Sequence, residues 1–380
     1  MSKVELDRQA RLLLENGGHL EAPSYELWTQ TACDPLTVVA HAQRLERDGW
    51  DGITYGDSQN LTGDVYVAMA AASLSTQRIR LATGVTNAAT RHPAVTAAAS
   101  ASLGLLSGGR AEVGIGRGDS ALAHIGLAPS SLATFDSYVA ELQSYLRGDS
   151  VPLRQASQRS SGPKVSTLGL AKEPPESRLN WLSGDVAKVP VFVVASGPKV
   201  IELAARRADR VALVLGADPE RLRWGVDLAR SVNPDIAVSA YVDLYIGSAE
   251  EALARSGARL ATHARFSSMH GAVSAPIDAA SASTMREIAR NYDMTKHARG
   301  GSSQISAITA EFAERFAIIG DVSECVDRLD QLSRLGIDRF HIWTHAVDPS
   351  SGAPDSVAEQ LIPATRARSS QAAGLESRQE

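Results

Sequence analysis

Cysteine is scarce in this sequence. Its 380 residues include two cysteines, Cys33 and Cys325, which lie far apart and belong to no CxxC pattern. A disulfide framework and a zinc ribbon both need more cysteines at short, regular spacings, so neither is expected. Isolated thiols are typical of a reducing compartment, and we therefore expect a cytoplasmic protein.

Long runs of like charge and long apolar runs are also lacking. The 43 acidic and 38 basic residues give a net charge of -5, which argues against binding to nucleic acid or to an anionic membrane. The alanine-rich stretch at 93–106 is interrupted by Thr, Ser and Gly, and no amino-terminal signal pattern appears. No membrane association is expected, and a small-molecule substrate is the predicted partner.

What the sequence does contain is a long alternation of short apolar runs and longer helical patterns, which is typical of a parallel sheet covered by helices. Eight strand–helix units predict a (β/α)8 TIM barrel, and an open doubly wound sheet is the alternative. The strands are predicted at 25–30, 52–55, 78–84, 110–115, 189–195, 210–215, 236–246 and 339–343.

The length of the chain exceeds what a bare barrel requires. Such a barrel takes about 250 residues, so the excess predicts insertions after the fourth unit, at about 149–188, and after the seventh, at about 263–308. We predict one domain over 1–349 and a polar tail over 350–380. The Ser, Gln, Arg and Glu of this tail offer little to bury.

Polar clusters follow four of the predicted strands. One cluster alone is explained by ordinary loop composition, but active sites of barrels lie at the carboxyl ends of the strands. Four clusters at equivalent positions therefore predict a site at one rim. They are Tyr55 to Gln59, Thr83 to Asn87, Gly114 to Ser120 and Ala195 to Lys199.

The cluster after the fifth strand has the features of an anion site. Ser196 is predicted at the N-cap of a helix and Pro198 in its first turn, with Gly197 between them. The helix dipole and the charge of Lys199 would then favour a phosphate. A capped helix without any ligand is the alternative.

Other constellations give little support to hydrolysis or metal chemistry. His341 and His345 lie on one face of the last strand without a third ligand nearby, so no metal is predicted. Glu112 and Asp119 are interpreted as solvated or capping groups, and GIGRGD lacks the GxGxxG spacing. Without a nucleophile motif or a metal, a cofactor is expected to carry the reactivity.

Four ordered motifs resemble the luciferase-like oxidoreductase superfamily, and within it the branch typified by F420-dependent methylenetetrahydromethanopterin reductase. They are TGVTNAATRHPAV, SGGRAEVGIGRGDSA, ASGPKVIELAARRAD and FAERFAIIGDVSECVDRLDQLSRLGIDRF. The resemblance implies a (β/α)8 barrel that holds the deazaflavin ring of coenzyme F420 in its mouth, and a homodimer. Sugar-phosphate branches carry a His and a Glu where this chain has Ser58 and Arg117, so that activity is not expected.

The resemblance also assigns roles to residues. It implies a non-proline cis peptide at Gly84–Val85 against the ring, with hydrogen bonds from Thr86 and Asn87, and an acid, Asp57, near the ring. His92 is assigned either to the site or to the cap of the following helix. The remaining cofactor-binding residues implied are Ile115, Gly116, Arg117 and Ser120 on the fourth-strand wall, and Ala195, Ser196, Gly197, Pro198 and Lys199 at the phosphate.

Three functions are open at this point. The first is hydride transfer between F420 and an organic substrate, with Asp57 and His345 as candidate proton-handling residues. The second is a monooxygenase that uses reduced FMN and oxygen. The third is a non-catalytic flavin-binding protein.

Overall fold

The computed structural model describes residues 24–158, 162–184, 186–268, 273, 275–297, 303–343 and 357–376. All strands of its sheet run parallel to their neighbours. They are β1 (Glu26–Thr31), β2 (Gly52–Tyr55), β3 (Arg80–Thr83), β4 (Thr86–Asn87), β5 (Ala111–Gly116), β6 (Val191–Ala195), β7 (Arg210–Leu213), β8 (Ala237–Ile246), β9 (Ile318–Gly320) and β10 (Arg339–Trp343).

Helices follow most of the strands. They are α1 (Val38–Arg47), α2 (Val65–Ser75), α3 (Pro93–Leu106), α4 (Ser120–Ala123), α5 (Leu132–Leu146), α6 (Leu153–Ser157), α7 (Pro198–Arg207), α8 (Pro219–Val232), α9 (Ala249–Phe266), α10 (Ala279–Arg290), α11 (Ala310–Phe316), α12 (Val322–Ser333) and α13 (Ile362–Glu376). None of those within the described ranges combines the length and the apolar composition that crossing a bilayer requires.

Eight strands close into a barrel, which confirms the predicted fold and excludes the open sheet. Their order is β1-β2-β3-β5-β6-β7-β8-β10, and β10 pairs with both β8 and β1. The short β4 follows β3 and pairs with the last residues of β5, and β9 pairs with the last residues of β8. Strands of this kind are buried on both faces, as the fully buried β5 shows.

An inner cluster of side chains fills the barrel. His341 is fully buried there and its ring stacks on Tyr241, with 4.3 Å between the ring centroids. Burial and the nearby Arg339 lower the pKa of His341 well below its usual value, so this histidine is neutral. The apolar members of the cluster are Trp28, Ala82, Phe192, Ala212, Val214 and Tyr241.

The floor of the barrel, at the amino ends of the strands, contains a buried ion cluster. The Arg339 guanidinium donates to both oxygens of Glu112, at 2.8 and 3.1 Å, and to Glu26 at 2.6 Å. Arg80 contacts the same Glu112 carboxylate at 2.6 Å. The prediction that Glu112 is solvated or capping is therefore wrong: it lies inside the floor, where two arginines compensate its charge.

The carboxyl-terminal helix covers the same floor. A π-helical turn at Val357–Leu361 leads into α13, and Leu361 and Ile362 are buried. Arg366 forms an ion pair with Asp51 just before β2. The prediction that the polar tail buries little is therefore wrong for 357–369, because Val357, Ala358, Leu361 and Ile362 are all buried.

The two predicted insertions differ in structure. The described residues of 149–188, which leave out 159–161 and 185, contain α6 and a 3-10 turn at Val165–Leu168 but no barrel strand. Between β8 and α12, helices α9, α10 and α11 build a second small core, and the start predicted at 263 falls inside α9. This core includes Leu260, Met285, Ile288, Phe312 and Phe316.

Candidate functional site

A cavity of about 780 Å³ opens at the carboxyl ends of the strands, within the usual size range of ligand pockets. It brings together residues from all four polar clusters. Those of the predicted site residues that line it are Asp57, Gly84, Val85, Thr86, Asn87, Gly116, Arg117, Ser120, Ala195, Ser196, Gly197, Pro198 and Lys199.

Of the other two predicted site residues, one lies away from the cavity and one cannot be placed. Ile115 is fully buried in the core between barrel and helices, because side chains alternate along a strand and its neighbours Gly114 and Gly116 take the inward positions. Its backbone pairs with Thr86 instead, which holds β4 in place. His345 lies outside the described residues.

The wall formed by β3 and β4 is built around Gly84. The Gly84–Val85 peptide bond is cis, as the resemblance implied. Gln30 donates its side-chain amide to the Gly84 carbonyl at 3.2 Å. A Cβ atom at Gly84 would lie 2.4 Å from the Thr54 Cβ, so only glycine fits between this wall and β2.

Asn87 ends this wall with an unused donor. Its side-chain oxygen accepts hydrogen bonds from the backbone of Ala89 and Thr90, at 2.9 and 3.0 Å. Its side-chain nitrogen is buried without a hydrogen-bond partner among the described residues. Because such a group is costly to leave unpaired, it is a position at which a bound ligand would be stabilised.

Asp57 follows β2 and faces the same cavity. Burial raises its pKa above the usual value, although the Thr86 hydroxyl and Arg91 both act to lower it. Its Oδ2 atom is buried without a partner among the described residues. The carboxyl group is therefore poised to bind or exchange a proton with a ligand.

The loop after β5 is held by polar contacts. The Arg117 Nε atom donates to the Ser130 carbonyl at 2.7 Å. Arg265 of α9 donates to both carboxylate oxygens of Asp119, at 2.7 and 3.0 Å. Asp119 is thus ion-paired rather than solvated, and its side chain makes no capping bond to α4, which corrects that interpretation.

The N-cap of α7, after β6, lies one residue later than predicted. Gly197 is the N-cap and Pro198 the first helical residue, with no side-chain cap bond, so Ser196 does not cap this helix. Ser196 lies one residue before the N-cap. Nothing lies within 4 Å of the space that a Cβ of Gly197 would occupy, which leaves this helix start open towards the cavity beside Lys199.

His92, in contrast, caps α3. Its Nδ1 atom accepts a hydrogen bond from the Ala94 backbone at 3.1 Å, and its Nε2 atom contacts the Ala156 carbonyl at 3.0 Å. Of the two roles considered for His92, capping is therefore the one that the structure shows.

Several cavity residues were missed by the sequence analysis. Burial lowers the pKa of His297 to about 4, so its ring is neutral at neutral pH. Most of these residues belong to α9 and its surroundings, and they lie outside the polar clusters that follow the predicted strands. They are Gln30, Tyr241, Arg259, Thr262, Phe266, His297 and Trp343.

A closed parallel barrel with a ligand-sized cavity at its carboxyl rim defines a TIM-barrel enzyme. The chain belongs to the luciferase-like monooxygenase family, whose model matches residues 13–339. It is accordingly an oxidoreductase of this family.

Relatives support the predicted branch. A 5,10-methylenetetrahydromethanopterin reductase from Methanolobus tindarius is 27% identical over an alignment of 324 residues that covers 81% of this chain and 90% of the relative. The F420-dependent tetrahydromethanopterin reductase from Methanopyrus kandleri superposes with a TM-score of 0.65 at 20% identity, over 90% of this chain and 99% of that one. The fold is shared more widely: the EDTA monooxygenase from Chelativorans sp. BNC1 has a TM-score of 0.61 at 16% identity, over 91% and 94%.

Proposed function

We propose that this chain is an F420-dependent oxidoreductase that transfers a hydride between the deazaflavin and an organic small molecule. The observation that carries the proposal is the cavity itself, in which the Gly84 to Asn87 wall and the open start of α7 beside Lys199 line one space. The relative from Methanolobus tindarius, which matches over 90% of its own length, is a methylenetetrahydromethanopterin reductase.

The residues present fit such a cofactor. The unpaired Asn87 amide and Gln30 Oε1 atom offer a donor and an acceptor beside the β3–β4 wall, which suits the polar edge of a deazaflavin ring. Lys199 and the start of α7 offer a cation and a helix amino terminus for the phosphate. When bound, the cofactor supplies the carbon that gives or takes the hydride.

The chain itself would orient the reactants, exclude water and move a proton. We assign the proton to Asp57, because burial raises its pKa and its Oδ2 atom has no partner among the described residues. Tyr241, Phe266 and Trp343 supply apolar surface that keeps water from the reacting atoms. A proton-handling role for His345 stays a prediction. The cytoplasmic location of the protein stays a prediction too.

Titration of the purified protein with F420 and with reduced FMN tests the cofactor assignment. We expect saturable binding of F420, at least tenfold weaker binding of FMN, and no oxygen uptake. Tighter binding of reduced FMN with substrate-dependent oxygen uptake would establish the monooxygenase instead. Binding without turnover of any substrate would favour a non-catalytic flavin-binding protein.

The variant Asn87→Asp sharpens this test. It retains an oxygen for the turn with Ala89 and Thr90 but removes the free amide donor. We expect its affinity for F420 to fall at least tenfold, whereas Asn180→Asp, at an exposed position outside the cavity, leaves the affinity unchanged. Equal affinities in both variants would remove Asn87 from the cofactor site.

We also propose a homodimer, supported by an apolar surface on neighbouring helices. Val67 and Leu74 of α2 are 64% and 68% exposed, and Leu105 of α3 is 53% exposed. These helices pack side by side, so the residues form an exposed apolar patch of the kind that marks an interface. Light scattering should show a dimer that Leu74→Glu converts to a monomer, while the equally exposed Leu168→Glu does not.

A further inference from the structure

Helix α9 forms a wall of the cavity with one of its faces. Arg259, Thr262 and Phe266 are spaced by three and four residues, which places them on the same side of the helix, and all three line the cavity. The helix is fixed at both sides of the mouth. His263 contacts Asp243 of β8 at 2.5 Å, and Arg265 makes its two bonds to Asp119 after β5.

The cations on the cavity wall differ in what they bind. Arg117 donates to the Ser130 carbonyl, and Lys199 lies at the open start of α7. Arg259 has neither a hydrogen bond nor an ion pair with any residue in the described part of the chain. Its guanidinium is thus a cavity-facing charge without a direct partner among the described residues.

One described acid, Asp243, acts on this charge without forming an ion pair with it. Burial lowers the pKa of Arg259, and Asp243 opposes that effect only from a distance. The Oδ2 atom of Asp243 contacts His263, and its Oδ1 atom has no hydrogen-bond partner among the described residues, Arg259 included. Because a partly desolvated arginine is unfavourable without an anion, a ligand that brings one would gain affinity at this position.

The surroundings define the rest of the ligand. A guanidinium presents a planar fork that matches a carboxylate, and Tyr241, Phe266 and Trp343 give the same cavity aromatic surface. β8, on which α9 packs, stands opposite β3 in the eight-strand order. The α9 wall therefore faces the wall of Gly84 and Asn87 across the mouth.

We propose that Arg259 is a substrate carboxylate site, and that the substrate is an organic acid with an apolar or aromatic body. This proposal rests on the proposed function, in which the β3–β4 wall takes the cofactor and leaves the α9 wall to the substrate.

The test uses phenylacetate and its neutral analogue phenylacetamide as probes, with calorimetry on the full-length protein both loaded with F420 and without it. We expect the wild type to bind phenylacetate at least tenfold more tightly than phenylacetamide. In Arg259→Gln that preference should disappear, because the affinity for phenylacetate falls while the affinity for phenylacetamide stays the same. Arg255→Gln, an exposed arginine one turn earlier on α9 that does not line the cavity, should behave as the wild type.

A second variant and a second ligand complete the design. Arg259→Lys retains the charge without the fork, and we expect a three- to tenfold loss of phenylacetate affinity. The affinities for F420 and for its phosphate-free deazaflavin fragment should be unchanged in all three variants. Weaker F420 binding with unchanged fragment binding in Arg259→Gln would show that Arg259 holds the cofactor tail, and would overturn the proposal.

The two proposals fail separately. A wild type that does not bind F420 removes the proposed function, and the probe contrast in the cofactor-free protein still decides on Arg259. A wild type that binds F420 but does not distinguish phenylacetate from phenylacetamide removes the carboxylate site alone.

Discussion

The floor and the mouth of the barrel use the same kinds of polar residue in opposite ways. At the floor, Glu112, Arg339, Arg80 and Glu26 are buried or partly buried and pair with one another at 2.6 to 3.1 Å. At the mouth, Asp57, Asn87 and Arg259 face a cavity with donors, acceptors or charges that no described residue pairs. The two ends lie on the same strands, since β5 begins beside Glu112 and ends at the cavity-lining Gly116.

The difference shows where the chain uses its polar groups for stability and where for binding. Paired charges at the floor compensate their own desolvation, and α13 closes that end from outside. Unpaired groups at the mouth reduce the stability of the ligand-free protein but are available to a ligand, which is the usual compromise at functional sites.

The largest effect is expected at the floor. Glu112→Gln removes the charge that both Arg339 and Arg80 contact and leaves a buried guanidinium without full compensation. We expect a loss of about 3 to 5 kcal/mol in the free energy of unfolding, measured by urea denaturation. The exposed Glu173→Gln should change stability little. If Glu112→Gln destabilised the protein as little as Glu173→Gln, the floor cluster would contribute no more to stability than an exposed ion pair does.

The cover of the floor should come next. Leu361 is fully buried beneath the start of α13, so Leu361→Ala leaves a cavity and should cost about 2 to 5 kcal/mol. Leu170→Ala, at a 49% exposed position, is the control. Thermal unfolding that is equal for both variants would show that α13 does not stabilise the barrel.

The architecture was predictable from the sequence because its signals are local. Glycine, proline and capping residues bound the elements, and the predicted limits of β2 and β10 match the structure. The role of 357–369 was not predictable, because a few apolar residues in a polar segment do not reveal where the segment packs. It packs where Ile362 lies beside Gly49 and Arg366 pairs with Asp51.

The site was predictable to the extent that barrel geometry dictates it. Loops after parallel strands converge on one rim, so the polar clusters could be grouped before their contacts were known. Helix α9 could not be placed, because an insertion has no fixed position in a barrel. The need for glycine at position 84 likewise depends on Thr54 from another strand, so substitution there is expected to disturb packing as well as binding.

At the mouth, Lys199 tests whether an unpaired cation serves a ligand. If Lys199 contacts the cofactor phosphate, Lys199→Ala should weaken F420 binding by about 1.5 to 3 kcal/mol and leave stability nearly unchanged. Ser196→Ala should also leave stability unchanged, because Gly197 is the N-cap. Lys172→Ala, at an exposed position, is the matched control for charge.

The phosphate-free deazaflavin fragment makes this comparison internal. Its affinity should be the same in Lys199→Ala and in the wild type, because the contact in question is missing from both complexes. An equal loss for the fragment and for F420 would place the phosphate elsewhere in the cavity.

The smallest expected effect has the opposite sign from that at the floor. Burial raises the pKa of Asp57, so between the ordinary aspartate pKa and this raised value the folded state retains a proton that the unfolded state has lost. The free energy of unfolding therefore falls as pH rises through that window, by about 1.4 kcal/mol per unit of pKa difference, and at neutral pH the ionised Asp57 lowers stability. Asp57→Asn should be more stable than the wild type at neutral pH and should lose this dependence, whereas the exposed Asp227→Asn should retain it. Urea denaturation of the ligand-free proteins from acid to neutral pH measures both effects, and a destabilised Asp57→Asn would show that this carboxylate is compensated within the protein, as Glu112 is at the floor.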